Sequence, residues 1–150
     1  MNLTMTDAPT TEDIAEIIEG LKAFNRKFVG DNGRKPLAVF ITGEGGEKLG
    51  GITGYTLGNC LSIELLWVSD ALRHSGAGTN LMNAAEQEAI QRGCKFAQVD
   101  TFSFQARPFY EKQGYQLKMT LENVLGEYHR YYLTKNLINE FGGTNRPCAV

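Results

Sequence analysis

The sequence predicts a single α/β domain in which one mixed β-sheet is flanked by helices. The clearest indication is a central unit in which an apolar strand at 61–68, a helix at 78–92 and a strand at 95–101 are joined by short connections. Two strands connected through one helix pair in parallel. Strand patterns on both sides of this unit extend the sheet, and a chain of 150 residues with 42% hydrophobic side chains can bury one sizeable core.

The first element is an amphipathic helix that follows a loose arm at residues 1–10. Apolar side chains recur at helical spacing with acidic residues between them. These apolar residues are Ile14, Ile17, Ile18, Leu21 and Phe28. Thr10 followed by Asp13 suits the start of the helix, and the glycine-containing segment 30–33 suits the loop after it.

Two strands are predicted next, at 37–42 and 48–56, with a turn at 43–46 between them. Adjacent glycines at Gly50 and Gly51 predict a β-bulge in the second strand.

The strand at 61–68 is apolar on both faces apart from Ser62 and Glu64, which predicts a buried central position. Leu81, Ala85 and Ala89 then share one face of the helix at 78–92.

Gly93 is placed to end that helix, and the strand at 95–101 follows at once. A short helix at 106–113 and a hairpin of strands at 115–121 and 128–134 complete the domain. We expect residues 138–150 to form a flexible tail.

Composition excludes several function classes. The chain carries 15 basic against 17 acidic residues, a net charge of −2, which gives no general reason to bind nucleic acid or an anionic membrane. Its cysteines, Cys60, Cys94 and Cys148, are odd in number and far apart, so neither a disulfide framework nor a zinc site is expected. No apolar run approaches the ~20 residues of a membrane span. We expect a cytoplasmic protein without a metal.

The segment Arg73-His-Ser-Gly76-Ala-Gly78 lies between the apolar strand and the long helix. A glycine-containing turn at a helix N-terminus presents unpaired N–H groups that suit a phosphate or pyrophosphate. A tight connection that needs glycine only for its backbone angles is the alternative. A P-loop or dinucleotide site is disfavoured, because Thr79-Asn80 replaces Lys-Ser/Thr and Leu81 replaces the third glycine.

Two motifs together resemble the GNAT superfamily of N-acetyltransferases, in particular its small single-domain bacterial members. The first is Val68 followed five residues later by Arg73-x-x-Gly-x-Gly, and the second is the segment from Ala106 to Tyr115, Ala-Arg-Pro-Phe-Tyr-Glu-Lys-Gln-Gly-Tyr. The two occur in the family's order, and the resemblance extends over residues 37–137. It implies a sheet splayed between its two central parallel strands and acetyl-CoA as co-substrate.

The resemblance also implies how the coenzyme is held. Strand backbone would pair with the pantetheine arm, and amides of the glycine-containing turn would hold the pyrophosphate. Arg73 would brace the turn or touch a phosphate. The residues implied in coenzyme binding are Leu66, Trp67, Val68, Arg73, His74, Ser75, Gly76, Ala77, Gly78, Thr79, Ser103 and Arg107.

Direct transfer of the acetyl group to an amine needs a base for the ammonium and an acid for the departing thiolate. Tyr110 matches the family tyrosine that protonates the thiolate; a core aromatic beside Phe109 is the alternative. Glu64 is the candidate base, because a buried carboxylate is costly unless it is used or paired. The alternative for Glu64 is a side chain near the open end of the splay that is solvated or paired with a lysine or arginine.

The resemblance therefore implies an N-acetyltransferase acting on a primary amine of a small molecule or a protein. A polyamine, an amino compound, an aminoglycoside-like antibiotic and a protein lysine or N-terminus all remain open as acceptors, and a homodimer is expected from the family only. The alternative function is a non-catalytic acyl-CoA sensor or interaction module, which needs the coenzyme site without the acid and base.

Overall fold

The computed structural model describes residues 1–31 and 33–138 and divides the chain into two compact units, Met1–Gly33 and Arg34–Val150. The predicted flexible tail lies outside the described residues except for Ile138. None of the helices in the described ranges is long and apolar enough to cross a membrane.

The first unit is helix α1, Thr11–Val29, preceded by ten residues that form neither helix nor strand. Its start is a reciprocal capping box. The backbone N–H of Asp13 donates to Thr10 Oγ1, and the N–H of Thr10 donates to Asp13 Oδ2, both at 3.0 Å. The helix ends at Gly30, whose φ of 63° suits glycine. The predicted helix and its cap are confirmed.

The second unit is a six-stranded mixed sheet with two helices. Its strands are β1 Lys35–Thr42, β2 Lys48–Leu57, β3 Cys60–Val68, β4 Phe96–Phe102, β5 Gln116–Leu125 and β6 Tyr128–Asn136, in the order β1-β2-β3-β4-β6-β5. Among the strand pairs that the described residues form, β3–β4 alone is parallel, as predicted. Helix α2, Ala77–Gln91, connects β3 to β4, and α3, Arg107–Lys112, follows β4. A short 3₁₀ helix at Asp70–Leu72 was not predicted.

Helix α2 packs one apolar face on the sheet. The fully buried members of this core include Leu81, Met82, Ala85 and Ala89 from α2 and Ile52, Leu61 and Leu133 from the sheet. Each large side chain buried in this way contributes ~1.5–3 kcal/mol. Because the helix is held along its length, the turn at its N-terminus has a defined place above the end of β3.

A buried ion pair ties α2 to β6. Lys135 Nζ lies 2.7 Å from Glu86 Oε1, both side chains are 6% exposed, and the Tyr115 hydroxyl donates to Glu86 Oε2 at 2.9 Å. Such a pair is tolerated inside a protein when the remaining polar atoms are hydrogen-bonded, as they are at Glu86. Burial, and then the charge of Glu86, raises the pKa of Tyr115.

The sheet contains register irregularities between β1 and β2, between β2 and β3 and, at two places, between β5 and β6. The predicted one lies beside the predicted position. Ile41 pairs with Gly50 and Thr42 with Lys48, so the extra residue is Leu49 rather than Gly50 or Gly51. The glycines serve close packing: a Cβ on Gly51 would lie 3.0 Å from the Phe40 ring. The irregularity between β2 and β3 falls in β3 and shapes the site.

Candidate active site

The two central strands separate halfway along their length. Parallel pairing of β3 with β4 runs from Cys60–Phe96 to Ile63–Val99 and stops there, while β3 stays paired with β2 as far as Val68. No described strand pairs with the edge of residues 66–68 that faces β4. The predicted central splay is therefore present, and Leu66, Trp67 and Val68 offer an open backbone edge that an extended ligand can join as a strand.

A β-bulge at Glu64 marks the point where the strands separate. Thr53 pairs with Leu65 but Gly54 pairs with Ile63, which leaves Glu64 without a partner on β2. The approach here is so close that a Cβ on Gly54 would lie 2.1 Å from the carbonyl oxygen of Ser62. Only glycine fits at position 54 without a backbone shift.

The prediction that the whole of β3 is buried was wrong, and the bulge explains why. Leu61 and Ile63 are buried, but Leu65 and Trp67 are 68% and 55% exposed. The extra residue reverses which side chains face α2, and the splay opens this end of the strand to solvent.

The N-terminus of α2 lies next along the chain. Gly76, at the N-cap, has a φ of 83° and His74 a φ of 62°, and no described side chain caps the first turn at Ala77 and its neighbours. A Cβ on Gly78 would lie 3.2 Å from the Phe109 ring. Uncapped amides that begin a helix, in a turn of left-handed residues, fit a pyrophosphate. The residues present therefore fit the phosphate end of acetyl-CoA.

The side chains around this turn already have partners. Arg73 Nε lies 3.1 Å from Asp70 Oδ1 in an exposed pair, and the Ser75 hydroxyl donates to the carbonyl of Leu72. Thr79 Oγ1 accepts a hydrogen bond from Gln113 at 2.9 Å. The N–H of Ser75 also donates to the carbonyl of Leu72, at 3.3 Å, so the amides that begin α2 are the groups left to contact a ligand.

Ser103 and Arg107 are also engaged within the protein. Ser103 Oγ accepts from the N–H of His129 at 3.0 Å, which joins the end of β4 to the start of β6. Arg107 Nε lies 2.6 Å from Glu111 Oε1, and its guanidinium lies 4.6 Å from the Tyr131 ring centre. A coenzyme contact at either residue stays a prediction.

Tyr110 lies in α3 and is 6% exposed. Its ring centre is 5.3 Å from that of Phe109 and 6.0 Å from that of Tyr115. Burial, and then the negative charge of Asp100, raises the pKa of Tyr110 to about 12. The hydroxyl is therefore protonated at neutral pH, as a proton donor requires.

Glu64 lines a cavity of about 520 Å³ at the start of the splay. Its Oε1 accepts from Arg34 Nη2 at 3.2 Å, and the side chain is half-exposed. The Arg34 guanidinium lies 3.6 Å from the centre of the Tyr55 ring. The expectation of a buried Glu64 was wrong, because the side chain is half-exposed and paired with Arg34. Its role as a base stays a prediction.

A second carboxylate was missed by the sequence analysis. Asp100 follows Val99 just as Glu64 follows Ile63, so both occupy the first position beyond the last parallel pair. Asp100 Oδ2 lies 2.7 Å from Arg130 Nη2, and both residues line the cavity. The sequence feature that could have indicated Asp100 is that it is the one charged residue of β4.

The described residues hold no cluster of three or more histidine, cysteine, aspartate or glutamate side chains. Their chemistry is that of an open strand edge, an uncapped helix N-terminus, a protonated buried tyrosine and two arginine-paired carboxylates around one cavity. This arrangement suits proton transfer during an acyl transfer.

Comparisons with known proteins agree with this chemistry. The model of the acetyltransferase (GNAT) family matches residues 4–115. Acetyltransferase Atu2258 of Agrobacterium fabrum is 32% identical over 115 residues, 77% of this chain and 84% of that protein. Blasticidin-S acetyltransferase of Streptomyces morookaense is 36% identical over 107 residues, covering 69% and 79%. A crystal structure assigned as an acetyltransferase, from Agrobacterium tumefaciens, has a TM-score of 0.85 at 29% identity and covers 91% and 99%.

Proposed function

This chain belongs to the acetyltransferase (GNAT) family and is an acetyl-CoA-dependent N-acetyltransferase, and we propose that Tyr110 and Glu64 are its catalytic acid and base. The observation that carries this assignment is the splay: the pairing of β3 with β4 ends at Ile63–Val99, Glu64 just beyond it lines a cavity, and the open edge of Leu66–Val68 follows. The uncapped N-terminus of α2 comes next along the chain. The buried Tyr110 supplies the proton donor.

The proposed binding mode uses backbone on both elements. The edge of β3 at Leu66–Val68 pairs with the pantetheine amides, and the N–H groups of His74 and of Gly76 to Thr79 hold the pyrophosphate. Side chains contribute less, because those of Ser75, Thr79 and Ser103 already have partners.

The proposed chemistry is a single transfer without an acyl-enzyme. Glu64 accepts a proton from the acceptor ammonium, directly or through a water, and the freed nitrogen lone pair forms the new N–C bond at the thioester carbonyl. Tyr110 donates its proton to the sulfur as the C–S bond breaks. The nitrogen gives up its second proton, which replaces the one that Tyr110 lost, and the proton on Glu64 passes to solvent. The products are an N-acetylated amine and coenzyme A.

A small molecule is the proposed acceptor. A cavity of about 520 Å³ holds a ligand of modest size, and one relative of this chain is a blasticidin-S acetyltransferase. The homodimer and the cytoplasmic location stay predictions.

Substitution of Tyr110→Phe tests the proposal. We expect acetyl-CoA affinity to be unchanged, because binding uses backbone, and thiol release with a panel of small amines to fall about 10²- to 10⁴-fold. Tyr128→Phe, at a half-exposed ring packed on Phe104, is the matched control and should keep wild-type turnover. Unchanged turnover in Tyr110→Phe would remove Tyr110 from the mechanism. Acetyl-CoA binding without thiol release by the wild type would favour the sensor.

A further inference from the structure

We propose that the acceptor is a small amine that also carries a carboxylate, as an amino acid does, and that Arg130, assisted by Arg34, selects it. This inference rests on the proposed function and deepens it. The observation behind it is that each carboxylate in the cavity at the splay forms an ion pair with a guanidinium.

The charges that line the cavity balance. Its lining holds two acidic side chains, Glu64 and Asp100, and two basic ones, Arg34 and Arg130. A polyamine or another polycation gains no net attraction from this neutral lining, and its further positive charges would meet the two guanidinium groups. A zwitterion instead meets an opposite charge at both of its ends.

Each ion pair leaves one carboxylate oxygen and one guanidinium nitrogen that can still bind a ligand. The Arg34–Glu64 contact is a single bond between Nη2 and Oε1, and the two Arg130 donors Nε and Nη2 both contact Oδ2 of Asp100. No described residue bonds to Glu64 Oε2, to Asp100 Oδ1 or to Nη1 of either arginine. The free carboxylate oxygens can accept from an ammonium, and a guanidinium edge can receive a carboxylate.

Both arginines are held by aromatic rings. The Arg130 guanidinium lies 5.3 Å from the Tyr132 ring centre and 5.7 Å from that of Phe102, and Arg34 lies over Tyr55. Cation–π contacts of this kind fix the groups before a ligand arrives, which lowers the entropy cost of binding.

Arg130 is the stronger determinant of the two. Its side chain is 36% exposed against 59% for Arg34, and less exposure means less screening by water. Its partner Asp100 is the first residue of β4 beyond the last parallel pair, as Glu64 is in β3, which puts the Arg130–Asp100 pair where the strands separate and beside the proposed base. The acceptor's carboxylate would therefore be held near the reacting centre.

The test compares acceptors that differ only in the carboxylate. Thiol release from acetyl-CoA is measured with the twenty amino acids and with the amines formed by their decarboxylation. For each pair the ratio of kcat/KM, acid over amine, is compared between enzyme variants, which cancels the intrinsic reactivity of the two nitrogens. We expect the wild type to prefer a carboxylate-bearing acceptor by about 10- to 100-fold.

Substitution of Arg130→Met should lower that ratio by roughly tenfold or more, and Arg130→Lys by less because a charge remains. Arg34→Met should lower it more weakly, and it keeps the test usable if Arg130→Met does not fold. Lys95→Met is the control, since it removes an exposed charge before the opposite end of β4 and should leave the ratio at its wild-type value.

Two results would overturn the inference. Wild-type preference for the carboxylate-free amines, or a ratio that Arg130→Met and Arg34→Met both leave unchanged, would show that the guanidinium groups do not select the acceptor, while acetyl transfer itself would stand. Thiol release with no amine of either kind would contradict the proposed function as well.

Discussion

The residues of the site divide into a buried acid and half-exposed carboxylates. Tyr110 is enclosed by Phe109 and Tyr115, and burial favours its neutral, protonated form. Glu64 and Asp100 remain in contact with the cavity and with an arginine each. The proposed proton donor is therefore buried, and the carboxylates that could accept a proton are open to the cavity.

The raised pKa values of two buried tyrosines predict how the stability of the protein changes at alkaline pH. The pKa of Tyr110 is raised from 10.0 to about 12, and burial raises that of Tyr115 also. The unfolded chain loses these protons near pH 10 while the folded chain keeps them. The contribution of these tyrosines to the free energy of unfolding should therefore be constant below pH 10 and fall between pH 10 and 12, by about 1.4 kcal/mol per pH unit for each tyrosine.

Urea unfolding at a series of pH values checks this expectation. Tyr110→Phe should show a shallower alkaline loss than the wild type, whereas Tyr128→Phe, which replaces a half-exposed tyrosine, should match the wild type. An identical alkaline loss in Tyr110→Phe and the wild type would mean that the Tyr110 pKa is not raised in the folded state.

At the scale of elements, the bulge in β3 and the glycine opposite it make the splay. The extra residue at Glu64 bends the strand where its parallel pairing with β4 ends, and Gly54 allows β2 to follow. The sequence analysis did not predict this bulge, because the position of a bulge depends on how the strand pairs with its neighbour. No local pattern near Glu64 indicates it.

Substitution of Gly54→Ala tests the role of the bulge. The added methyl would meet the Ser62 backbone, so we expect the free energy of unfolding to fall by roughly 1–3 kcal/mol and acetyl-CoA affinity to weaken as the β3 edge shifts. Thermal unfolding and calorimetric titration measure the two effects.

Gly20→Ala is the matched control. Position 20 lies inside α1, and a Cβ there has no neighbour within 4 Å, so alanine should stabilise the helix by ~0.5–1 kcal/mol. Wild-type stability and wild-type affinity in Gly54→Ala would show that the splay does not depend on this glycine.

At the scale of the whole molecule, local patterns predicted the elements better than their arrangement. Hydrophobic periodicity and caps placed α1, α2 and the six strands, and the strand–helix–strand unit predicted the parallel pair. The insertion of β6 between β4 and β5 was not predicted, because either strand of a hairpin can join the sheet. The same limit applies to the site: Tyr110 and the turn before α2 belong to contiguous motifs, whereas Asp100, Arg130 and Arg34 meet only through strand register.

The central claim is that the open edge of β3 and the N-terminus of α2 together bind acetyl-CoA. Isothermal titration of the purified chain with acetyl-CoA, and with coenzyme A, ATP and NAD as comparators, tests it most directly. We predict saturable binding of acetyl-CoA at one site, competition by coenzyme A, and no competition by ATP or NAD. A folded sample that does not bind acetyl-CoA would contradict the account, and the turn at Arg73–Gly78 would then be only a connection between a strand and a helix.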